Sequence, residues 1–320
     1  MSDRADRNLD EFGEIARLFQ PLTRGYPGAF QLKDDAAAIA QRPGHDLVVT
    51  KDAIVEGVHF PKNEAPELVA RKLLRANLSD LAAKAAEPFG CLLAVAWPTS
   101  YSPRHRERFA RGLASDLEHF GVSLLGGDTV STPGPFSASL TAFGWVPEGR
   151  MVRRSGARPG DRLMVSGTIG DATLGLAAAL GRLADADGAL IHRYRLPEPR
   201  LDLRRTLRER ATAAADVSDG LVADARHIAE ASGVGLRLDL DALPLSRAAA
   251  SWLEQQPDVA EALVRLATGG DDYEVVCTMP STLRKPVGFT VIGEVTEAPG
   301  VTVLVQGRTV DVGAGGWRHD

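Results

Sequence analysis

The sequence predicts a two-domain protein of mixed α/β (α+β) class. Three observations carry that reading: a length of 320 residues, strand-like and helix-like segments that alternate in both halves, and turn-rich stretches that separate the halves. Those stretches are Pro147-Glu148-Gly149-Arg150 and Arg158-Pro159-Gly160-Asp161, and they divide the chain into domains at 1–148 and 149–320.

In the first half, Leu47 to Thr50 reads as a buried strand that discharges into Lys51-Asp52. Glu67 to Lys84 reads as a helix, because Leu74, Leu78 and Leu81 repeat at i, i+4 and i+7 and mark a core-facing stripe. Asn77, Asp80 and Lys84 fall on another face, and Glu87-Pro88 reads as the stop. A strand from Leu92 to Trp97 follows. Ser102-Pro103 has the form of an N-cap with proline at the first helical position, and Phe109, Leu113, Leu117 and Phe120 mark the buried face until Gly121. Val122 to Leu125 reads as a strand running into Gly126-Gly127-Asp128-Thr129, and Ser137 to Val146 alternates as another. The second half gives a strand at Leu163–Ser166, a helix from Asp171, a helix at Leu221–Ala231, a strand at Leu236–Leu240, and strands beginning at Glu274, Phe289 and Val301.

Composition removes several function classes. Thirty-seven Lys+Arg against forty-two Asp+Glu give a net charge of −5, which disfavours a nucleic-acid partner. Ala172 to Gly181, the most apolar helix-like run, is bounded by Asp171 and Arg182, too short for a membrane span. Met1 to Arg7 is mixed-charge with no apolar run behind it, unlike a secretory leader. Cys91 and Cys277 sit in apolar strand-like runs and read as two reduced, buried thiols of a cytoplasmic protein. No Gly-Lys dipeptide occurs, so there is no Walker A loop; the dinucleotide, nucleophile-elbow and zincin motifs are absent too.

What remains is a recurring placement of aspartates at strand ends and loops: Asp34-Asp35, Asp52, Asp128, Asp216 and Asp219 in Asp216-Val217-Ser218-Asp219-Gly220, and Asp271-Asp272 after Gly269-Gly270. Carboxylates gathered from several loops suit hard divalent cations such as Mg²⁺, and neighbouring glycines let the backbone approach a phosphate.

TKDAIVEGVHF (50–60), NLSDLAAKAAEP (77–88), GGDT (126–129), RSGARPGD (154–161), SGTIGDA (166–172), DVSDGL (216–221) and GGDDYE (269–274) together resemble the ordered motif set of the thiamine-monophosphate kinase family, over nearly the whole chain. The resemblance implies the two-domain fold of the aminoimidazole-ribonucleotide-synthetase superfamily. In that fold the N-terminal ATP/Mg²⁺-binding sheet pairs across a homodimer and a C-terminal α/β domain completes the active site. It also implies transfer of the γ-phosphoryl group of ATP to thiamine phosphate, giving thiamine diphosphate. Carried over by motif position, Asp35, Thr50, Asp52, Asp80, Asp128, Asp216 and Asp219 would ligate several Mg²⁺ ions, directly or through water. Gly127, Asp128, Arg154 and Ser218 would contact ATP; His59, Asp271 and Trp317 would contact thiamine phosphate.

This chemistry agrees with the residues. The acceptor is a phosphate monoester with a second pKa of about 6, so its oxygen is already an anionic nucleophile and no general base is required. Two dianions about 4 Å apart repel by roughly 16 kcal/mol at an effective dielectric near 20, which calls for divalent cations rather than single lysines. Three departures from the family pattern stand out: Lys33-Asp34-Asp35 for Gly-Asp-Asp, Thr50-Lys51-Asp52 for Ser-Thr-Asp, and Gly270-Asp271-Asp272 for Gly-Glu-Asp. The alternatives are an ATP-dependent synthetase of purine biosynthesis with the same fold, or a non-catalytic Mg²⁺/nucleotide-binding protein. A selenophosphate-forming enzyme is disfavoured, because no cysteine precedes Cys91.

Overall fold

The computed structural model describes residues 11–313, 315 and 316, so Trp317 lies outside the described residues. The chain divides into two compact units, Met1–Leu81 with Pro88–Glu148, and Ala82–Glu87 with Gly149–Asp320.

In the first unit, short helical turns (α1, Glu11–Glu14, then Ile15–Phe19, Gln20–Thr23 and Pro27–Leu32) precede a four-stranded sheet. The strands are β1 (His45–Val55), β2 (Glu87–Pro98), β3 (Ser123–Thr132) and β4 (Ser137–Pro147), in the order β1-β4-β2-β3. Helix α2 (Pro66–Ala83) joins β1 to β2, and α3 (Pro103–Phe120) is the crossover that the parallel β2–β3 pair requires. The leucine stripe of α2 is buried as its spacing predicts, with Leu74, Leu78 and Leu81 fully inaccessible. α3 buries Phe109, Leu113 and Leu117, and Phe109 meets Trp97 edge-on at 5.4 Å between ring centroids. α2 stops at a left-handed Ala85 (φ 58°), before the Glu87-Pro88 pair, which instead opens β2.

Two strands run further than the local sequence suggests. β1 continues through Lys51 and Asp52 because its antiparallel ladder with β4 is unbroken from His45↔Pro147 to Val55↔Ser137. β3 continues through Gly126, Gly127 and Asp128, paired with Leu92, Leu93 and Ala94 of β2. A Cβ on Gly127 would stand 1.9 Å from the Leu93 carbonyl oxygen, so glycine here admits the neighbouring strand rather than ending its own. Asp52 and Asp128 are therefore strand residues, not loop residues.

The second unit is a seven-stranded sheet of β5 (Asp161–Ser166), β6 (Ala213–Asp216), β7 (Gly235–Asp239), β8 (Val275–Pro280), β9 (Phe289–Thr296), β10 (Gly300–Val305) and β11 (Arg308–Thr309), in the order β11-β10-β7-β9-β5-β8-β6. Its helices are α4 (Asp171–Ala179), α5 (Ala189–Arg195), α6 (Arg204–Arg210), α7 (Leu221–Ser232), α8 (Arg247–Leu253) and α9 (Val259–Thr268). Alternate residues of the central strands face opposite ways. Leu163, Val165, Ala215 and Val276 pack with Leu221, Ile228 and Leu266 of α7 and α9, while Met164, Ala214, Val275 and Cys277 pack with Leu207 of α6. Helices thus cover both faces.

No helix among the described residues is long and apolar enough to cross a membrane. Cys91 and Cys277 are fully buried, and burial pushes the Cys91 thiol up to about 12 and raises that of Cys277. We expect neither thiol to react with iodoacetamide at mildly alkaline pH in the native protein, and both to react in denaturant. Mass spectrometry of the alkylated protein checks this, and native labelling of either would contradict the burial.

Candidate functional site

The first unit gathers the sequence-predicted residues into two places. At β1 and α2, the Thr50 hydroxyl donates to Asp80 Oδ2 at 2.5 Å, and the Asp52 amide donates to Asn77 Oδ1 at 3.2 Å. Asn77 is itself held by donating to the Leu73 carbonyl one helical turn back. The helical face that carries Asn77 and Asp80 therefore lies along the segment that carries Thr50 and Asp52. At the other edge of the sheet, Asp35, Gly127 and Asp128 line one cavity of about 620 Å³ together with Asp34. Its remaining wall is largely apolar, including Phe19, Leu92 and Phe143. That size and an apolar wall with few polar groups match a small-molecule pocket. Asp128 is exposed and its Oδ1 accepts the Thr129 amide at 2.9 Å. β1 and β3 are opposite edges of the sheet, so within one chain the two acidic groups are separate.

His59 sits just beyond β1, and its Nδ1 accepts the Val55 amide at 3.1 Å. With Nδ1 accepting, Nε2 is the ring nitrogen left to donate, as a phosphate oxygen would require.

In the second unit the DVSDGL and GGDDYE segments are stitched together. The Asp271 amide donates to the Ser218 carbonyl and the Tyr273 amide to the Val217 carbonyl, both at 2.8 Å, while the Val217 amide donates to the Glu274 carbonyl at 2.7 Å. To make these bonds Asp271 and Tyr273 take left-handed conformations (φ 69° and 51°), which cost energy for residues with a Cβ and are held by their surroundings. A Cβ on Gly270 would come 2.4 Å from the Ser218 carbonyl oxygen, so the second glycine of the pair is the approach point of the two loops. Asp216, Ser218, Asp219 and Asp271 are thereby brought to one place. Arg154 is exposed and its charge reaches this place: it offsets a small part of the rise that burial causes in the proton affinity of Asp224, on the first turn of α7. Gly316 packs against the Asp219 carbonyl and Ala223.

Several residues that shape this site escape a reading of sequence alone. Asp224 Oδ2 accepts the amides of Ser218, Asp219 and Gly220 at 3.1–3.2 Å, forming the turn that presents Ser218 and Asp219. Burial, then the nearby Asp219 charge, push its carboxyl up to about 7. Asp272, the neighbour of Asp271, is wholly buried and accepts the Gly170 and Ala172 amides, anchoring the start of α4; burial pushes it up to about 8. Glu274 is also inaccessible and holds Arg193, Arg200 and the Ser166 hydroxyl. The available signal was position: Asp224 lies within the first turn of a helix, where carboxylates serve as caps, and Glu274 immediately precedes the largely buried strand β8.

Do these residues fit Mg²⁺? Hydroxyl and carboxylate donors at Thr50, Asp52 and Asp80 are hard oxygen ligands, and Asp216 with Asp219 offers the same chemistry. Lys33 and Lys51 are exposed, and an ammonium group offers no ligand. The donor set fits.

The chain resembles known proteins along most of its length. Residues 33–146 match the family model of AIR synthase related protein, N-terminal domain, and residues 158–306 that of the C-terminal domain. The chain is 56% identical over 318 residues to the thiamine-monophosphate kinase of Caulobacter vibrioides, covering 97% of this chain and 90% of that protein. Among solved structures it is similar to the thiamine-monophosphate kinase of Stenotrophomonas maltophilia K279a, with 38% identity, a TM-score of 0.77 and coverage of 87% of this chain and 91% of that one. It is equally similar in fold (TM-score 0.77, 32% identity, 94% of both chains) to AaThiL complexed with AMPPCP and TMP.

Proposed function

The chain belongs to the thiamine-monophosphate kinase family of AIR synthase related proteins, and on that premise we propose that it transfers the γ-phosphoryl group of ATP to thiamine phosphate, giving thiamine diphosphate. Besides membership, the observation that supports this reading is the stitching of the Asp216–Gly220 turn to Asp271. That bonding supports the reading by holding the segment that carries Asp216, Ser218 and Asp219 against the backbone of Asp271.

In this reading Gly127, Asp128, Arg154 and Ser218 bind ATP, and the cavity beside Asp35 and Asp128 supports a nucleotide pocket. Asp35, Thr50, Asp52, Asp80, Asp128, Asp216 and Asp219 hold Mg²⁺, which when bound neutralises charge on the two phosphoryl groups. His59 donates from Nε2 to the acceptor phosphate and Asp271 faces the thiamine cation. Trp317, outside the described residues, is assigned to the thiamine ring by motif position. No side chain needs to remove a proton, because the acceptor oxygen is anionic at neutral pH. Catalysis is alignment and charge compensation.

We further propose a homodimer, located in the cytoplasm, with domains 1–148 and 149–320 both contributing to the reaction. Exposed Leu47 and Val49 on edge strand β1 and Val130 on edge strand β3 support pairing of the N-terminal sheets. Incubating the protein with ATP, Mg²⁺ and thiamine phosphate should yield thiamine diphosphate and ADP in equal amounts, lost on chelation of the metal. ADP formation without thiamine diphosphate would refute the assignment.

A further inference from the structure

A nitrogen donor on α7 stands beside the turn that presents Asp219. One ligand atom from each of Asp219, Asp224 and His227 lies within 4.8 Å of the others. His227 follows Asp224 by three residues on α7, so the two side chains share a face. Asp224 is 1% exposed, and the two oxygens of its carboxylate have different fates. Oδ2 is committed to the three amides of the Ser218–Gly220 turn. Oδ1 is buried with no hydrogen-bond partner among the described residues, which is unusual for a carboxylate oxygen and costly to maintain. A cation coordinated by Asp224 would satisfy the orphaned oxygen. The half-exposed His227 leaves the place open to solvent, and Glu230 Oε2, 3.9 Å from its Nδ1, stands next to the ring.

We propose that Asp219, Asp224 and His227 form a mixed nitrogen–oxygen site that holds a first-row transition dication in preference to Mg²⁺. Mg²⁺ is a hard ion that prefers oxygen and keeps its waters, whereas an imidazole donor shifts preference toward Mn²⁺ and the later ions of the series. The site rests on the kinase reading only through Asp219, which that reading also counts among the Mg²⁺ ligands.

The test uses the full chain without nucleotide and Mn²⁺ as the probe, followed by electron paramagnetic resonance. Bound Mn²⁺ should show spin-echo modulation from one imidazole nitrogen and should persist against excess Mg²⁺. His227→Gln should abolish the nitrogen signal and weaken Mn²⁺ binding there by about tenfold or more, with Mg²⁺ affinity nearly unchanged. His227→Asn, with circular dichroism on both variants, guards against a folding artefact. Nitrogen modulation that survives in either folded variant, or Mn²⁺ displaced by an equal amount of Mg²⁺, would overturn the proposal. Asp80→Ala should keep the nitrogen signal while losing turnover, so failure of the kinase reading and failure of the cation site give different results.

Discussion

Asp80→Ala is expected to lower kcat for thiamine diphosphate formation by about 10²–10³-fold, the range seen when one electrostatic stabiliser of a transition state is removed. Asp80 accepts the Thr50 hydroxyl and lies beside the Asn77 side chain that holds the Asp52 amide, so its carboxylate anchors the oxygen donors of the β1–α2 group. Stability should change little. Leu74, Leu78 and Leu81, which seat the helix, lie on its buried stripe and are untouched, and loss of one half-buried hydrogen bond costs on the order of 1 kcal/mol. Steady-state kinetics with circular dichroism as the folding control decide it. Thr50→Val should give a milder defect, since it removes the neutral hydroxyl and keeps the charge. A rate near that of the unaltered protein in Asp80→Ala would remove Asp80 from the cation set.

Glu274→Ala is expected to act on stability instead. Glu274 is the only carboxylate among the described hydrogen bonds of Arg200 and accepts two of its N–H groups; Arg193 donates to the same side chain at 2.9 Å and Ser166 at 2.6 Å. The bond to Glu274 raises the proton affinity of Arg200, and without that partner the guanidinium still stays charged because its ordinary value is far above neutral. Breaking a buried pair from one side typically costs 3–5 kcal/mol. Both arginines keep some water contact (20% and 26% exposed side chains), which favours the lower end, about 3 kcal/mol. For a unit of this size that is a fall in Tm of roughly 6–12 °C. Thermal unfolding by circular dichroism measures it, and an unchanged midpoint would show that the network is not holding the 269–274 loop. Glu274→Gln should fall between, because the amide keeps one acceptor oxygen.

These two residues differ in how readable they were. Asp80 was legible because the leucine stripe at Leu74, Leu78 and Leu81 fixes the helix and so fixes which residues share its other face. The chemistry of Asp216, Asp219 and Asp271 was legible as a motif. The limits of β1 and β3 were not: Lys51-Asp52 and Gly126-Gly127 look locally like terminators, and only the ladder with β4 and the close passage of Leu93 carry the strands onward. Helices α5, α6 and α8, of seven residues each, are too short for periodicity to declare them. Nor does sequence tell which acid of a run is buried. Asp271 and Asp272 are adjacent and chemically identical, yet one faces the loop and the other caps the start of α4, a distinction made by the left-handed turn at Asp271. The sequence assigns no role to Asp224 or Glu274, because a carboxylate's task inside a protein depends on partners distant in the chain.

The backbone stitching of Val217 and Ser218 to Asp271 and Tyr273 has a practical corollary for protein engineers. A graft that brings either segment in from a relative, to alter which acceptor is phosphorylated, would meet a host loop cut to another pattern. The two stretches are a matched pair and have to be exchanged together.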